Sequence, residues 1–464
     1  MVERTEDAAS SGVVSISGVV PRLAVKAHHT PRSETGIGAL MPWANRLWFV
    51  TYVAHKSSSG GGTGLFWVDD NLVLHKHEQS VVGTYANRLV HSESNQLFIG
   101  PHVIDPDGNV KTIDSLKDFR LTATCRHLTD PGNKVYFLGM EGEFLEVDVH
   151  TFAVKQLFDL CEVLDVRGYP HFKDAYTRHG RVIVANNSYF AQDFDGDQSG
   201  GRLAEWDGEN WEVLERTQFN TISSANGISD AVYAVGQDRA SAILRVFLPE
   251  VGWRRYRLPK STHTQDHAFT TEWPRIREVE SERLLMDASG MFYELPSMAY
   301  DNAVWGVRPI ASHLRIVADF CSWNGMLVMA GDQNTPIHDS NPVAGQPQAN
   351  LWLGKTDDLW SWGKPQGWGG PWWESSVRSG EHSDPYLMTG FEHKCLHLSQ
   401  SGGGEVEVDI EVDFMGNGKW RTWKTITLAQ SGYECVTFPT GFSAHWVRLT
   451  LSNDAVLTAQ FIYS

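Results

Sequence analysis

Histidine, lysine and arginine side chains recur in the polar segments that separate the short apolar runs of this 464-residue chain. A guanidinium group binds a carboxylate through two hydrogen bonds, and an imidazole gains or loses a proton near neutral pH. These segments together predict a locally positive site for a carboxylate, with groups for proton transfer. Each histidine taken alone is more often a hydrogen-bonded loop or core residue than a catalyst. The residues of interest are Arg88 in GTYANR, His171 and Lys173 in GYPHFKDAYT, Asn187 in ANNSYF, Arg239 in GQDRAS, His263, His267 and Trp273 in STHTQDHAFTTEWPRIR, and His313 in ASHLR.

The apolar runs between these segments form a repeat. A turn residue, an apolar strand, a loop, a second strand ending near Asp or Glu and an outer strand recur seven times, with a shorter strand before each copy. The spacing of about 40–50 residues and the four strands per unit are typical of a propeller blade. The sequence therefore predicts an all-β chain with a seven-bladed β-propeller over 1–372, closed by a strand from residues 1–35. The copies begin at Asn45, Asn95, Asn133, Gly180, Asp230, Glu282 and Gly325.

The last part of the chain has a different pattern. Residues 373–464 contain the period-two segments EVEVDIEVDF and HWVRLTLSNDAVLTAQFIY, which predict a small antiparallel β-sandwich.

In a propeller, the loops before the innermost strands and after the second strands meet at the mouth of the channel. The cationic segments belong to these two loop classes, so the repeat predicts that they converge.

Composition excludes several classes of function. The net charge of −17 disfavours nucleic acid as a partner, because phosphate contacts need clustered Lys and Arg. No run of 18 apolar residues is present, which predicts no membrane span. The segment MVERTEDAASSG lacks the apolar core of a signal peptide. We therefore expect a soluble protein, extracellular only if a leader is removed or bypassed.

Metal binding has weak support in the sequence. None of the five cysteines forms a CxxC pair, so we expect no zinc site; Cys395 and Cys435 form either a disulfide or two buried thiols. Asp193, Asp195 and Asp197 alternate as at the start of a calcium loop. The loop departs from that pattern at its sixth and twelfth positions, which favours a solvated acidic loop. Ca²⁺ stays open as a cofactor.

Longer strings carry a resemblance to a known family. GTYANRLVHSESNQLFIGP, HLTDPGNKVYFLGMEGEFLEVDVHT, TEWPRIREVESERLLMD, HLRIVADFCSWNG and GQPQANLWLGKTDDLWSWGKPQGWGG resemble polysaccharide lyase family 27. The likeness runs from about residue 38 to the end of the chain. It implies an L-rhamnose-α-1,4-D-glucuronate lyase that acts on arabinogalactan side chains such as those of gum arabic, by β-elimination.

The resemblance gives the candidate residues roles. Arg88 and Arg239 are expected to bind the glucuronate carboxylate, with Lys173 in reserve and Asn187 nearby. His171, His263 and His267 are expected to transfer protons; His91, in the shared NRLVH string, and His313 are further candidates. Trp273 stacks on the rhamnose methyl face or packs in the core. Two other functions stay open: an α-L-rhamnosidase using paired carboxylates, and a carbohydrate-binding propeller without catalysis.

Overall fold

The computed structural model describes most of the chain. The described residues are 17–26, 35–53, 63–189, 200–225, 230–262, 273–280, 283–296, 304, 306–335 and 346–464. In these ranges the structure is almost entirely β, which confirms the all-β prediction. The helical segments are short: the α-helix α1 (Leu160–Val163) and the 3-10 turns Pro21–Leu23, Asp114–Leu116 and Thr356–Ser361.

The strands are short and follow one another closely along the chain. The first ten are β1 (Gly18–Val19), β2 (Val25–Lys26), β3 (Thr35–Trp43), β4 (Arg46–Val53), β5 (Leu65–Val68), β6 (Leu74–Lys76), β7 (Arg88–His91), β8 (Gln96–Ile99), β9 (His102–Ile104) and β10 (Val110–Thr112). The next eight are β11 (Leu121–Arg126), β12 (Lys134–Gly139), β13 (Glu143–Asp148), β14 (Val154–Asp159), β15 (Phe172–Arg178), β16 (Arg181–Asn186), β17 (Arg202–Trp206) and β18 (Trp211–Glu215).

The second half of the chain continues in the same way. It contains β19 (Gln218–Ser223), β20 (Val232–Gln237), β21 (Ala242–Leu248), β22 (Gly252–Leu258), β23 (Arg275–Val279), β24 (Arg283–Ala288), β25 (Met291–Leu295), β26 (Arg308–Ser312), β27 (Val317–Trp323), β28 (Met326–Thr335) and β29 (Gln346–Gly354). The C-terminal strands are β30 (Gly367–Val377), β31 (Tyr386–Leu387), β32 (Lys394–Gln400), β33 (Val406–Asp413), β34 (Arg421–Leu428), β35 (Tyr433–Thr437), β36 (Trp446–Leu451) and β37 (Ala455–Tyr463).

Consecutive strands pair as antiparallel meanders of four. Within the described residues the meanders are β3–β6, β7–β10, β11–β14, β15–β18, β19–β22 and β23–β26. A further sheet is built from β27, β28 and β29, and β1 is its fourth strand, with Gly18 opposite Leu353. The N-terminal strand expected from residues 1–35 is therefore present. It pairs with β29, a strand that lies more than 320 residues later in the chain.

Contacts divide the chain into two compact units. The first comprises Met1–Gly139, Leu145–Lys155 and Ile316–Asp358, and the second comprises Met140–Phe144, Gln156–Arg315 and Leu359–Ser464. Each unit has its own apolar core, formed by the alternate side chains that the strands turn inward. Fully buried residues of the first unit include Trp48, Phe98 and Phe137, and those of the second unit include Leu244, Met286, Tyr293, Leu398 and Phe461.

The C-terminal strands form two sheets within the second unit. Strands β31, β36, β33 and β34 extend the β19–β22 sheet, because β31 lies parallel to β22 with Tyr386 opposite Arg257. The other sheet has the order β30-β37-β32-β35. Side chains from both sheets share one apolar core. The domain boundary proposed at residue 372 falls inside β30, which pairs with β37 from Gly367 to Val377. The domain ranges themselves stay a prediction.

No helix among the described residues is long and apolar enough to cross a membrane.

Candidate functional site

The starting end of strand β15 presents His171 beside Asn187. Phe172 pairs with Asn186 across the β15–β16 ladder, and the Asn187 N–H donates to the His171 carbonyl at 3.0 Å. This pairing holds the two side chains together, and His171 Nδ1 lies 2.6 Å from Asn187 Oδ1. Because an amide oxygen only accepts, Nδ1 carries a proton and Nε2 is the basic nitrogen of the neutral ring. The arrangement presets the tautomer that a general base needs.

Lys173 occupies a β-bulge two residues further on. The register between β15 and β16 shifts between Phe172 and Asp174, so Lys173 is the extra residue on its strand. A bulge re-aims the side chain that it carries, and bulges are common beside active sites. The Lys173 ammonium lies 4.1 Å from the centroid of the Trp273 ring, and both side chains are buried. The tryptophan face stabilises this buried cation through its quadrupole.

Arg275 brings a second cation to the same tryptophan. Its guanidinium carbon lies 5.0 Å from the Trp273 ring centroid, and the residue is only 2% exposed. Arg275 is the first residue of β23, so it begins the first strand of its sheet as His171 precedes the first strand of another. The sequence placed Arg275 in a cationic segment without assigning it a role. Its position at the start of a first strand was the feature of the sequence that could have identified it as a site residue.

Two carboxylates accompany these cations, the half-buried Asp174 and the buried Asp287. Asp174 accepts hydrogen bonds from the Ile222 N–H at 2.8 Å and from the Thr221 hydroxyl at 2.9 Å, which ties β15 to β19. Burial raises the pKa of Asp174, and the charges of Arg277 and then Arg275 partly offset that rise. Asp287 lies opposite Arg275 in the β23–β24 ladder.

Asp287 also pairs with His313. The distance from His313 Nε2 to Asp287 Oδ1 is 3.0 Å, and the ring stacks on Phe292 with 4.7 Å between centroids. Burial raises the pKa of Asp287, while His313 and then Arg275 oppose the rise. In the part of the chain that the structure describes, His313 Nδ1 is buried and has no hydrogen-bond partner. An imidazole oriented by a carboxylate, with one nitrogen uncommitted, is a second candidate for proton transfer.

The second unit contains five of the sequence-predicted residues, in three contacts: His171 with Asn187, Lys173 with Trp273, and His313 with Asp287. All five occur at the starting ends of first strands or directly after second or fourth strands, and the charge of Arg275 acts on Asp287. Within the described part of the chain, the cluster has three cations, Lys173, Arg275 and Arg277, and two carboxylates before the histidines are counted. Such a cluster is locally positive in a chain of net charge −17.

Arg88 lies in the first unit and is held by a carboxylate of the protein itself. Its Nε is 2.8 Å from Asp319 Oδ2, and its terminal nitrogen donates to the Phe320 carbonyl at 3.2 Å. Asp319 is fully buried and also accepts from the Leu40 N–H at 2.9 Å. Arg88 therefore joins strands β3, β7 and β27. This internal ion pair supports a structural role instead of the carboxylate-binding role predicted for it.

Arg239 lies in the turn between β20 and β21 and contacts β30. Its guanidinium stacks over Trp373 at 4.8 Å from the ring centroid and lies 3.7 Å from the Glu374 carboxylate. The predicted substrate contact therefore competes with an ion pair to the C-terminal strands. His263 and His267 lie outside the described residues, as do Asp193, Asp195 and Asp197 of the calcium-like loop.

His91 is fully buried in the first unit, at the end of β7 next to its turn. Its Nε2 donates to the Pro131 carbonyl at 2.6 Å, and its Nδ1 accepts from the Ser94 N–H at 3.2 Å. Burial lowers the pKa of His91, which keeps the ring neutral. Both nitrogens are thus committed to the hairpin and the neighbouring loop.

Substituting His91 is therefore expected to affect stability without affecting turnover. H91N should lower the free energy of unfolding by about 1–3 kcal/mol, because the buried Pro131 carbonyl loses its donor. Urea denaturation followed by tryptophan fluorescence measures this change, and H150N, on an exposed turn of the same unit, is the control. A normally stable H91N protein with lost activity would reinstate His91 as a catalytic candidate.

A surface cleft of about 580 Å³ also occurs in the second unit. It is lined by residues of β22 and the C-terminal sheets, including Arg255, Tyr256 and Trp420. Its two carboxylates are already engaged: Asp384 pairs with Arg257, and Asp413 accepts from three backbone N–H groups of 416–418. The described residues that line the cleft include no histidine. It fits a binding surface better than a reaction centre, so we place the candidate site at the His171 cluster.

Comparisons with known proteins give no family. No family model and no curated protein matches the chain. Among solved structures, U3-55K matches with 8% identity and a TM-score of 0.38, covering 72% of this chain and all of that one. The β-propeller domain of Cps50 (Swd1) from Myceliophteria thermophila matches with 10% identity and a TM-score of 0.38, covering 68% of this chain and 99% of its own. At these scores the likenesses carry no conclusion about function.

Proposed function

We propose that this chain is a seven-bladed β-propeller with a C-terminal β-sandwich, and that it cleaves terminal L-rhamnose-α-1,4-D-glucuronate from arabinogalactan by β-elimination. The observation that carries the proposal is the pair of buried cations on Trp273, one of which, Lys173, follows the oriented imidazole of His171 by two residues. Among the described residues, the six four-strand meanders and the sheet of β27, β28, β29 and β1 make seven units, which supports the blade number. The two C-terminal sheets with one shared core support the sandwich.

The reaction needs three kinds of group, and the cluster contains candidates for each. Cations must neutralise the glucuronate carboxylate, because the C5 proton is otherwise too weakly acidic for removal. A base takes the C5 proton, the C4–O4 bond breaks, and a double bond forms between C4 and C5. The oxygen leaves with rhamnose and takes a proton from an acid. In a gluco-configured uronate, H5 and O4 lie on the same side of the ring, so neighbouring residues can serve as base and acid.

The contacts suggest an assignment of roles. Lys173 and Arg275 bind and neutralise the carboxylate, because they are the cations that meet at one ring. His171 is the base, since Asn187 leaves Nε2 as its basic nitrogen. His313, oriented by Asp287, is the candidate acid. Trp273 positions the two cations through its ring face. We assign it this role in place of stacking on rhamnose.

The alternative function is an α-L-rhamnosidase, and it depends on whether two carboxylates are available for hydrolysis. Hydrolysis with paired carboxylates needs one as acid and the other as base or nucleophile. Asp174 is committed to Thr221 and the Ile222 N–H, and Asp287 to His313. These commitments favour elimination over hydrolysis. A non-catalytic propeller would retain carbohydrate binding and release no product.

The deciding experiment incubates the purified protein with gum arabic. We expect free rhamnose by chromatography together with rising ultraviolet absorbance from the conjugated unsaturated uronate. Rhamnose without the absorbance would indicate hydrolysis. Binding to the polysaccharide without either product would leave a carbohydrate-binding protein.

Removing the Lys173 charge tests the carboxylate assignment. K173M should lower kcat/KM by about 10²–10³-fold, the usual cost of losing one preorganised group that stabilises developing charge. K173R should recover part of the loss, and K155M, at an exposed lysine, should leave the rate unchanged. Initial rates of absorbance increase give these values. A K173M enzyme as active as the parent would exclude Lys173 from the site.

A further inference from the structure

Two cysteines and a histidine meet on the outer face of the second C-terminal sheet, in a place unrelated to the proposed activity. Cys395 and His397 alternate along β32 with the buried Leu396 and Leu398, so they point to the opposite face. Cys435 lies on the neighbouring edge strand β35, directly opposite His397. The ligand atoms of all three residues lie within 4.8 Å of one another.

We infer that Cys395, His397 and Cys435 bind a thiophilic metal ion of the Zn²⁺ class, with a fourth position open to solvent. Thiolate and imidazole are the ligands that Zn²⁺ prefers, and three protein ligands plus water is an established coordination set. Cys435 is exposed, so an ion can reach the cluster from solvent.

The distances fit one tetrahedral ion. Cys395 Sγ lies 3.5 Å from His397 Nε2. With Zn–S of about 2.3 Å and Zn–N of about 2.0 Å, a tetrahedral angle separates sulfur and nitrogen by about 3.5 Å. The unbound cluster therefore already has the spacing of one edge of the coordination tetrahedron.

A hydrogen bond from the far side of the ring supports the same assignment. His397 Nδ1 lies 2.8 Å from the Tyr433 hydroxyl. When Nδ1 donates its proton to that oxygen, Nε2 is left with the lone pair and faces Cys395. Metal-bound histidines are commonly oriented by such a partner on their other nitrogen.

Strand register favours a metal over a disulfide. Cys395 pairs with Thr437, and His397 pairs with Cys435, so the two cysteines are diagonal neighbours. Diagonal residues on adjacent strands lie about 7–8 Å apart, whereas disulfide-bonded Cα atoms lie about 4.4–6.8 Å apart. An ion spans the longer gap without moving the backbone. The sequence predicted no zinc for want of a CxxC pair, and this cluster arises instead from pairing between β32 and β35.

Cobalt titration tests the site. The full chain, reduced and freed of metal, is titrated with Co²⁺ while thiolate-to-cobalt charge transfer is followed in the near ultraviolet. We expect one Co²⁺ per chain, displaced by Zn²⁺. C435S and H397N should abolish or greatly weaken binding, and Y433F should weaken it by about 10–100-fold, as loss of an orienting partner does.

The controls make the result decisive. C161S removes a half-buried cysteine elsewhere in the same unit and should leave binding intact. Failure of the reduced protein to bind Co²⁺ would overturn the inference, as would unchanged binding by C435S. A Cys395–Cys435 disulfide found by mass spectrometry would overturn it if the reduced protein also bound no cobalt. Circular dichroism shows that each variant is folded, and rhamnose release is measured separately because it does not depend on this site.

Discussion

Replacing His171 with asparagine is expected to lower kcat for rhamnose release from gum arabic by about 10²–10⁴-fold, the usual contribution of a positioned general base. The physical reason is the loss of a titratable nitrogen beside Lys173, while an amide of similar size stays next to Asn187. KM should change much less, because the cations on Trp273 that we propose to bind the carboxylate are unaltered. Initial rates over a range of substrate concentrations separate the two constants.

The matched control for H171N is H150N, which alters an exposed turn histidine and should keep full activity. H313N tests whether the second imidazole is the acid, and it should also lower kcat if His313 protonates the leaving oxygen. Full activity in H171N with a normal melting temperature would remove His171 from the mechanism. Loss of activity together with loss of the folded state would require the comparison to be repeated with H171Q.

Replacing Arg257 with methionine is expected to lower the free energy of unfolding at pH 7 by about 1.5–3 kcal/mol, because the half-buried carboxylates of Asp238 and Asp384 lose their nearest charged donor. Arg257 is 5% exposed and donates to Asp238 at 2.8 Å and to Asp384 at 2.8 Å. R257M leaves Arg255 as the cation near both carboxylates, at 3.9 Å from Asp238 and 3.5 Å from Asp384. Urea denaturation at pH 7 measures the change, and R254M, at an exposed position of the same strand, should stay within about 0.5 kcal/mol of the parent.

The pH dependence of this effect has a definite sign. Burial by itself would raise the pKa of Asp238, but the charge and hydrogen bonds of Arg257 outweigh it and lower the pKa from 3.8 to about 2. The parent therefore has this stabilisation in full above about pH 4 and loses it as pH falls towards 2. R257M lacks the part of this stabilisation that comes from Arg257 at every pH, whereas the parent loses it in acid. The difference between R257M and the parent should shrink below pH 4, and an equal difference at pH 7 and pH 3.5 would contradict the assignment.

Local pattern explains why the sheets were foreseeable. Apolar runs such as NQLFIG and NKVYFLG have turn residues at their ends. They form strands because both the strand pattern and the turn depend on residues that are adjacent in the sequence. Strands β8 and β12 coincide with those two runs. The same reasoning anticipated the extra strand from the N-terminal region. It placed the change of character near residue 372, whereas β30 begins at Gly367, because element ends depend on the strand that pairs with them.

The candidate site was foreseeable in part. His171, Lys173, Asn187, Trp273 and His313 were identified because loops before first strands and after second strands meet at one end of a sheet. Arg88 was predicted to bind the substrate carboxylate because its charge is evident from the sequence. Its pairing with Asp319 is not, since that residue lies 231 positions away in the chain. Arg239 was assigned likewise, before Glu374 was known to face it.

The sequence by itself determined the all-β class, the four-strand repeat and the supply of cations at strand starts, because these follow from local periodicity and turn chemistry. Tertiary structure alone decided which cation pairs with which carboxylate, the bulge that turns Lys173 towards Trp273, and the meeting of Cys395, His397 and Cys435. Each of these depends on the register between strands or on contacts between distant segments. A one-residue change of register moves every side chain of a strand to the other face, and no local pattern specifies it completely.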